Sequence, residues 1–276
     1  MKKRGIYIAC GVVFLLAAAF FGVKIFQGTY APAAVTESMS YTAAPAPTEA
    51  PEATAVPAAE PAAETEEATP APTATPEPYV SPIDFESLQA VNPDIIGWIT
   101  ILDTNIDYPV LQSPTDDDFY MDHNSDGRYS SNGSIFSDHE YNAADFSDPV
   151  TILYGHHMAS GAMFGRLQKY YSDPDFWEPD HYIHIYTPER ELAYKVFAAL
   201  PFSSDNLLYY YDFTDEKTFE SFFDAVFNAR DLSAHFKEEY APEPGDQVII
   251  LSTCLIGNNT RRFLVMGTLV SDDQSS

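Results

Sequence analysis

From residue 83 onward the apolar positions come in short bursts separated by turn residues. Ile95-Ile96-Gly97-Trp98-Ile99-Thr100-Ile101 reads as a strand, and Ile106 to Leu111 as a second, with Asn105 as a turn residue between them. Gly133 to Phe136 and Val150 to Tyr154 read as further strands. His181 to Tyr186 and Leu192 to Ala199 predict a hairpin about Thr187-Pro188-Glu189-Arg190, and Gln247 to Leu251 and Phe263 to Val270 complete the set. Helical spacing is confined to three places. Phe85, Leu88 and Val91 predict a short N-terminal helix within 80–91, and Ala162 to Tyr170 a second short helix. Asp215 to Ala229 is the clearest: Phe219, Phe222, Phe223, Val226 and Phe227 form an apolar stripe, with acids in the first turn. The pattern is all-β with helical insertions. About eight strands closed into a barrel would leave no open edge, with the long helix set between the late strands.

The first eighty positions follow another rule. Lys2, Lys3 and Arg4 form a basic tail over 1–4, and residues 5–27 are apolar and uncharged up to Lys24. A bilayer span needs about 20 residues, so 5–27 predicts a transmembrane signal anchor. The preceding positive charge puts the N-terminus in the cytoplasm and the rest outside the cell. A cleaved signal peptide is the alternative, with Ala31-Pro32-Ala33-Ala34 as its small-residue site, but its apolar core runs only about 7–15 residues. Residues 28–80 are dominated by Ala, Pro, Thr and Glu, and read as a disordered, extended tether. That leaves 81–276 as one domain. The net charge of -27, from 41 acidic and 14 basic residues, argues against a nucleic-acid partner.

Only two cysteines are present, Cys10 within the predicted span and Cys254 in the outer domain. They cannot pair across that topology, so Cys254 is a free thiol outside the cell, which is a buried core residue or has a use. Its setting favours a use. Val248 to Leu251 ends in Ser252-Thr253-Cys254, a loop over Leu255 to Thr260 follows, and Arg262 opens the next strand. Val150 to Tyr154 likewise ends in Gly155-His156-His157. Two strand ends would then carry reactive groups that meet across the barrel mouth. The thiolate of Cys254 suits a nucleophile, His156 a proton carrier, and Arg262, which cannot lose its proton, an oxyanion or carbonyl. The product of attack would be a thioester, resolved by a second nucleophile.

These residues, with NPDIIGWITI near Asn92, IDYPVLQ near Ile106, FYMDHNSDGRYSSNGSIFSDHE from Phe119, TILYGHHMASGAMFGRLQKY from Thr151, YIHIYTPE from Tyr182, VIILSTC and RRFLVMG, resemble the class B sortases over Ile83 to Val270. The resemblance implies a sortase-type β-barrel and a membrane-anchored cysteine transpeptidase of Gram-positive cell surfaces. Such an enzyme cleaves a C-terminal sorting pentapeptide of a secreted protein after Thr and holds the protein as a thioester. It then passes the protein to an amine of a peptidoglycan precursor or, in some members, to a pilin lysine. By position Cys254, His156 and Arg262 match the catalytic residues, and Ser252 with Thr253 the substrate-binding ones; no cofactor is implied. Some class B enzymes carry an acid directly after the cysteine. Here Leu255 and Ile256 follow, so an acid supporting His156 or Arg262 would have to come from elsewhere.

Other readings carry less. His156 and His157, or His181 and His184, do not share a face on a strand, so no metal site is expected. Asp122 to Gly127 begins like a calcium loop, but its twelfth position is Gly133 rather than Glu. A cysteine hydrolase of wall-associated proteins usually has Cys before His, the reverse of the order here. A non-catalytic adhesin would need an inert Cys254.

Overall fold

The structure, a computed structural model, describes residues 79–274. The expected basic tail, anchor and all but the last residues of the tether lie outside these. Among the described residues no helix is long and apolar enough to cross a membrane.

In chain order the elements are α1 (Phe85–Val91), β1 (Ile95–Thr100), β2 (Asp107–Leu111), a 3-10 turn (Phe119–Met121), β3 (Ile135–Phe136), β4 (Val150–Tyr154), α2 (Leu167–Tyr171), α3 (Pro174–Trp177), β5 (Tyr182–Tyr186), β6 (Arg190–Ser203), α4 (Leu207–Tyr210), α5 (Glu216–Phe227), β7 (His235–Phe236), β8 (Val248–Leu255) and β9 (Asn258–Gln274). Hydrogen bonding runs β5-β1-β2-β3-β4-β8-β9-β6 and returns to β5, which closes an eight-stranded barrel; β7 adds a short ninth strand beside β6. The pairs β2–β3 and β4–β8 are parallel and the rest antiparallel.

Strand alternation divides the late strands into two faces. Leu153, Ile249, Leu251, Phe263 and Val265 point into the barrel. Val150, Ile152, Val248, Ile250, Leu264 and Met266 point outward, and α5 covers them with Phe219, Phe222, Phe223 and Val226. Both faces of β4 and β8 are therefore buried, which is why their sequences are continuous apolar runs rather than alternating ones. The helix starts where Asp215 caps it, accepting a hydrogen bond from the Thr218 amide at 2.9 Å.

Several sequence expectations need revising. The helix expected from Ala162 begins only at Leu167, because Gly161 (φ 87°) and Met163 (φ 53°) take left-handed conformations that no α-helix accepts. β3 is two residues long rather than four. β6 and β9 run on well past their apolar cores, to Ser203 and Gln274, because they pair with each other along that length. The turn between β8 and β9 is shorter than Leu255 to Thr260: Leu255 already pairs with Asn258 across Ile256-Gly257, where Gly257 has φ 77°.

The described chain starts at Tyr79, beside Glu191 and Asp273, at the end of the barrel where β6 begins and β9 finishes. Cys254 stands at the opposite end.

Candidate active site

β8 lies between β4 and β9, so the three expected side chains come from neighbouring strands. Cys254 is the register partner of Arg262, and an Arg262 guanidinium N–H (Nη1) donates to Cys254 Sγ at 3.3 Å. A cationic donor aimed at sulfur suits the thiolate, the nucleophilic form. On the other side, Tyr154 is level with Ser252, and the Gly155 amide donates to the Ser252 carbonyl at 3.1 Å. Continuing this parallel register brings His156 level with Cys254.

The meeting place differs from the expected one. Ser252, Cys254 and Arg262 share the outward parity of Ile250 and Leu264. The group sits on the outer face of the barrel, just past the apolar patch that α5 covers, and does not reach across the mouth. Thr253 has the opposite parity. It is only 2% exposed, pairs with Phe263 of the interior, and its buried hydroxyl has no hydrogen bond among the described residues. Its side chain therefore packs the barrel and is turned away from the surface carrying Cys254, so the expected substrate contact rests on Ser252 alone. Arg261 belongs to an irregular stretch of β9 and reaches outward to Asp231 at 3.7 Å, leaving Arg262 as the arginine at the thiol.

Among the described residues no hydrogen bond joins His156 to Cys254. The His156 ring bonds instead through Nε2 to the Met121 carbonyl at 2.7 Å. A carbonyl only accepts, so Nε2 carries the hydrogen and a neutral ring offers Nδ1 as its base. The loop presenting this carbonyl is well anchored. Tyr120 is buried, its hydroxyl receives Asn92 Nδ2 at 2.8 Å and donates to Asp94 Oδ2 at 2.7 Å, and burial pushes its pKa up to about 12. Gly133, at φ 58°, passes so close that a Cβ there would lie 2.4 Å from the Met121 oxygen. Gly155 is equally tight: a Cβ would meet Ile135 Cδ1 at 2.5 Å and Phe164 Cδ2 at 2.6 Å. Both glycines permit close approaches that fix the position of His156.

A shallow crevice beside the thiol is lined by Tyr154, Ser203, Asp205, Leu207, Ser252 and Arg262. Behind it lies Asp138, 7% exposed, which accepts a hydrogen bond from Asn206 Nδ2 at 3.2 Å. Burial, and then the nearby charge of Asp117, push the Asp138 carboxyl up to about 6. The Tyr154 hydroxyl is buried beside the Asp138 carboxyl, and its pKa is raised by burial first and then by Asp138. Sequence reasoning found neither Asp138 nor Tyr154, nor the Met121 carbonyl. Asp138 does lie within the quoted GSIFSDHE motif, but a buried acid has no signature in sequence.

A cavity of about 740 Å³ lies at the other barrel end, against the β5–β6 hairpin. It holds none of these residues. Among the described residues no group of three His, Cys, Asp or Glu is arranged to hold a metal. His181 Nε2 is bonded to the Phe176 carbonyl at 2.6 Å and His184 Nδ1 to Glu191 Oε1 at 2.9 Å.

A Sortase domain family profile matches residues 99–270. Sortase B of Listeria monocytogenes is 33% identical over 190 residues, 68% of this chain and 74% of the relative. Among solved structures, Clostridium perfringens sortase B superposes with a TM-score of 0.60 at 26% identity, over 68% of this chain and 100% of that one. A Staphylococcus aureus sortase B–substrate complex superposes with a TM-score of 0.58 at 28% identity, over 68% of this chain and 84% of that one.

Proposed function

The chain belongs to the sortase family, class B, and so carries transpeptidase chemistry of the sortase kind; we propose that Cys254, His156 and Arg262 perform it on a C-terminal sorting signal cleaved after Thr. The observation that carries the assignment is the 3.3 Å contact from Arg262 Nη1 to Cys254 Sγ.

In this reading the Cys254 thiolate attacks the Thr carbonyl carbon. Arg262, already over the sulfur, stabilises the negative oxygen of the tetrahedral intermediate. The peptide C–N bond then breaks, and His156, which enters as the imidazolium beside the thiolate with Nε2–H kept on the Met121 carbonyl, gives its Nδ1 proton to the leaving amine and becomes neutral. This leaves a thioester on Cys254. An acceptor amine attacks it, His156 takes up the amine's proton, the C–S bond breaks, and the thiolate returns. Ser252, on the same face as Cys254, contacts the bound peptide.

The acceptor is an amine of a peptidoglycan precursor, with a pilin lysine as the second possibility. Residues 5–27 anchor the enzyme as a single span with the catalytic domain outside the cell, a reading supported by the basic tail and the length of the apolar run.

The test uses the full-length chain in detergent, mixed with peptides carrying Pro-x-Thr-Gly, Pro-x-Thr-Asn and Pro-x-Thr-Ala cores. Intact mass is read before and after adding a glycine-ended or a lysine-bearing acceptor. The expected result is an acyl adduct on Cys254 that one amine discharges, and no adduct in Cys254→Ala. Adduct formation by Cys254→Ala would sink the assignment. Discharge by water alone, with neither amine captured, would favour the hydrolase.

A further inference from the structure

The residue after the thiol is Leu255, which packs against the core, and Ile256 beyond it is 50% exposed, so this segment brings no acid to the site. A carboxylate does approach, from the segment after a different strand. Asp138 follows β3, whose Phe136 pairs with Tyr154 of β4, and the two rings lie 5.5 Å apart. Two residues past Phe136, Asp138 lies against the Tyr154 hydroxyl. Among the described residues it takes part in no ion pair. Asn206 donates to it, Asp117 and Asp118 act on it as like charges, and Tyr154 stands in front of it. On its far side, Tyr154 feels the charge of Arg262, and both line the crevice beside the thiol.

Donor and acceptor types leave one way to connect these three groups. An ionised carboxylate only accepts, a guanidinium only donates, and a hydroxyl does both. The Tyr154 O–H can therefore donate to Asp138 while its oxygen accepts from Arg262, and the reverse order is impossible. An asparagine in place of Asp138 would offer an amide N–H as readily as an oxygen, and would lose that polarity.

We propose that Asp138 is a positioning residue for Arg262: through the Tyr154 hydroxyl it braces the guanidinium that contacts Cys254, in the role that the apolar pair after the cysteine cannot fill. The arrangement rests on the reading of Arg262 given above. It also accounts for a carboxylate buried beside like charges with no ion-pair partner among the described residues, a placement that folding alone does not favour.

The experiment is a double-mutant cycle on the full-length chain. Asp138→Asn, Tyr154→Phe, their combination and Arg262→Lys are assayed for transfer, using whichever peptide of the Pro-x-Thr set acylates the wild type fastest. A braced guanidinium acts mainly on the transition state, so Asp138→Asn and Tyr154→Phe are each expected to lose kcat roughly tenfold with little change in KM, a smaller loss than that of Arg262→Lys. The combined variant should be no worse than either single one. Losses that multiply in the combination would overturn the proposal, because Asp138 would then act by a route other than Tyr154. Wild-type kcat in Asp138→Asn beside an inactive Arg262→Lys would overturn the bracing alone. Wild-type kcat in Arg262→Lys would overturn the catalytic reading of Arg262 and the bracing with it. If Asp138→Asn does not fold, Tyr154→Phe carries the test, since it removes one oxygen and keeps the ring; wild-type kcat there also overturns the proposal.

Discussion

Replacing Asp138 with asparagine should make the protein more stable at neutral pH. Burial raises the Asp138 carboxyl from 3.8 to about 6. The folded state thus holds this proton more firmly than the unfolded chain does. Stability from this group is complete below the unfolded value and is lost as pH rises through about 6. The rise from 3.8 to about 6 corresponds to about 3 kcal/mol between the two ends of that window. The variant has no such titration. Its amide oxygen can still accept from Asn206, and an imperfect replacement bond would cost about 1 kcal/mol at either pH. Urea unfolding of both proteins at pH 4.5 and pH 8 measures the difference directly, because the other carboxylates titrate in both and cancel. The expected outcome is a gain of about 2 kcal/mol for the variant at pH 8 that disappears or reverses at pH 4.5. A stability difference equal at the two pH values would refute the linkage. A variant weaker at pH 8 than at pH 4.5, relative to wild type, would mean that the ionised carboxylate is well satisfied.

Gly133→Ala should misplace His156 while leaving the thiol untouched. The new Cβ would press on the Met121 oxygen at 2.4 Å and the Tyr120 oxygen at 2.8 Å, at φ 58°. A displacement approaching 1 Å costs about 10²-fold in kcat, and steady-state transfer at unchanged Cys254 alkylation would read it; normal kcat would show that His156 needs no carbonyl seat. The two adjacent arginines should behave differently. Arg261→Ala removes an exposed contact to Asp231 worth less than about 1 kcal/mol and should change kcat by less than twofold, as read by steady-state kinetics. Arg262→Lys keeps the charge but loses the planar fork, and should lose about 10²-fold. Similar losses in both would contradict the assignment of Arg262.

Much of this arrangement could be read from the chain. The apolar runs located the barrel strands, and the Phe219, Phe222, Phe223 and Val226 stripe located the covering helix. The residues on Cys254 and Arg262 could be paired because a hairpin register is a local property. What escaped the sequence depends on contacts between distant segments. Met121 reaches His156 by a backbone carbonyl, which every residue possesses and no side-chain pattern marks. Asp138 is one of 41 acidic residues, and only the folded barrel singles it out by burying it behind Tyr154. The place of Thr253 was misjudged for a related reason. Adjacent residues on a strand face opposite ways, so membership in the same short motif does not put Thr253 on the side of Cys254.

The described residues begin at Tyr79 and end along β9 at the same pole of the barrel, while the thiol stands at the other. From Val248 to Cys254 the strand alone spans roughly 20 Å. The barrel is therefore built like a tool with its handle at one pole and its working edge at the other. Held near Tyr79 or near the end of β9, the barrel would turn Cys254 toward the solution and itself serve as the spacer.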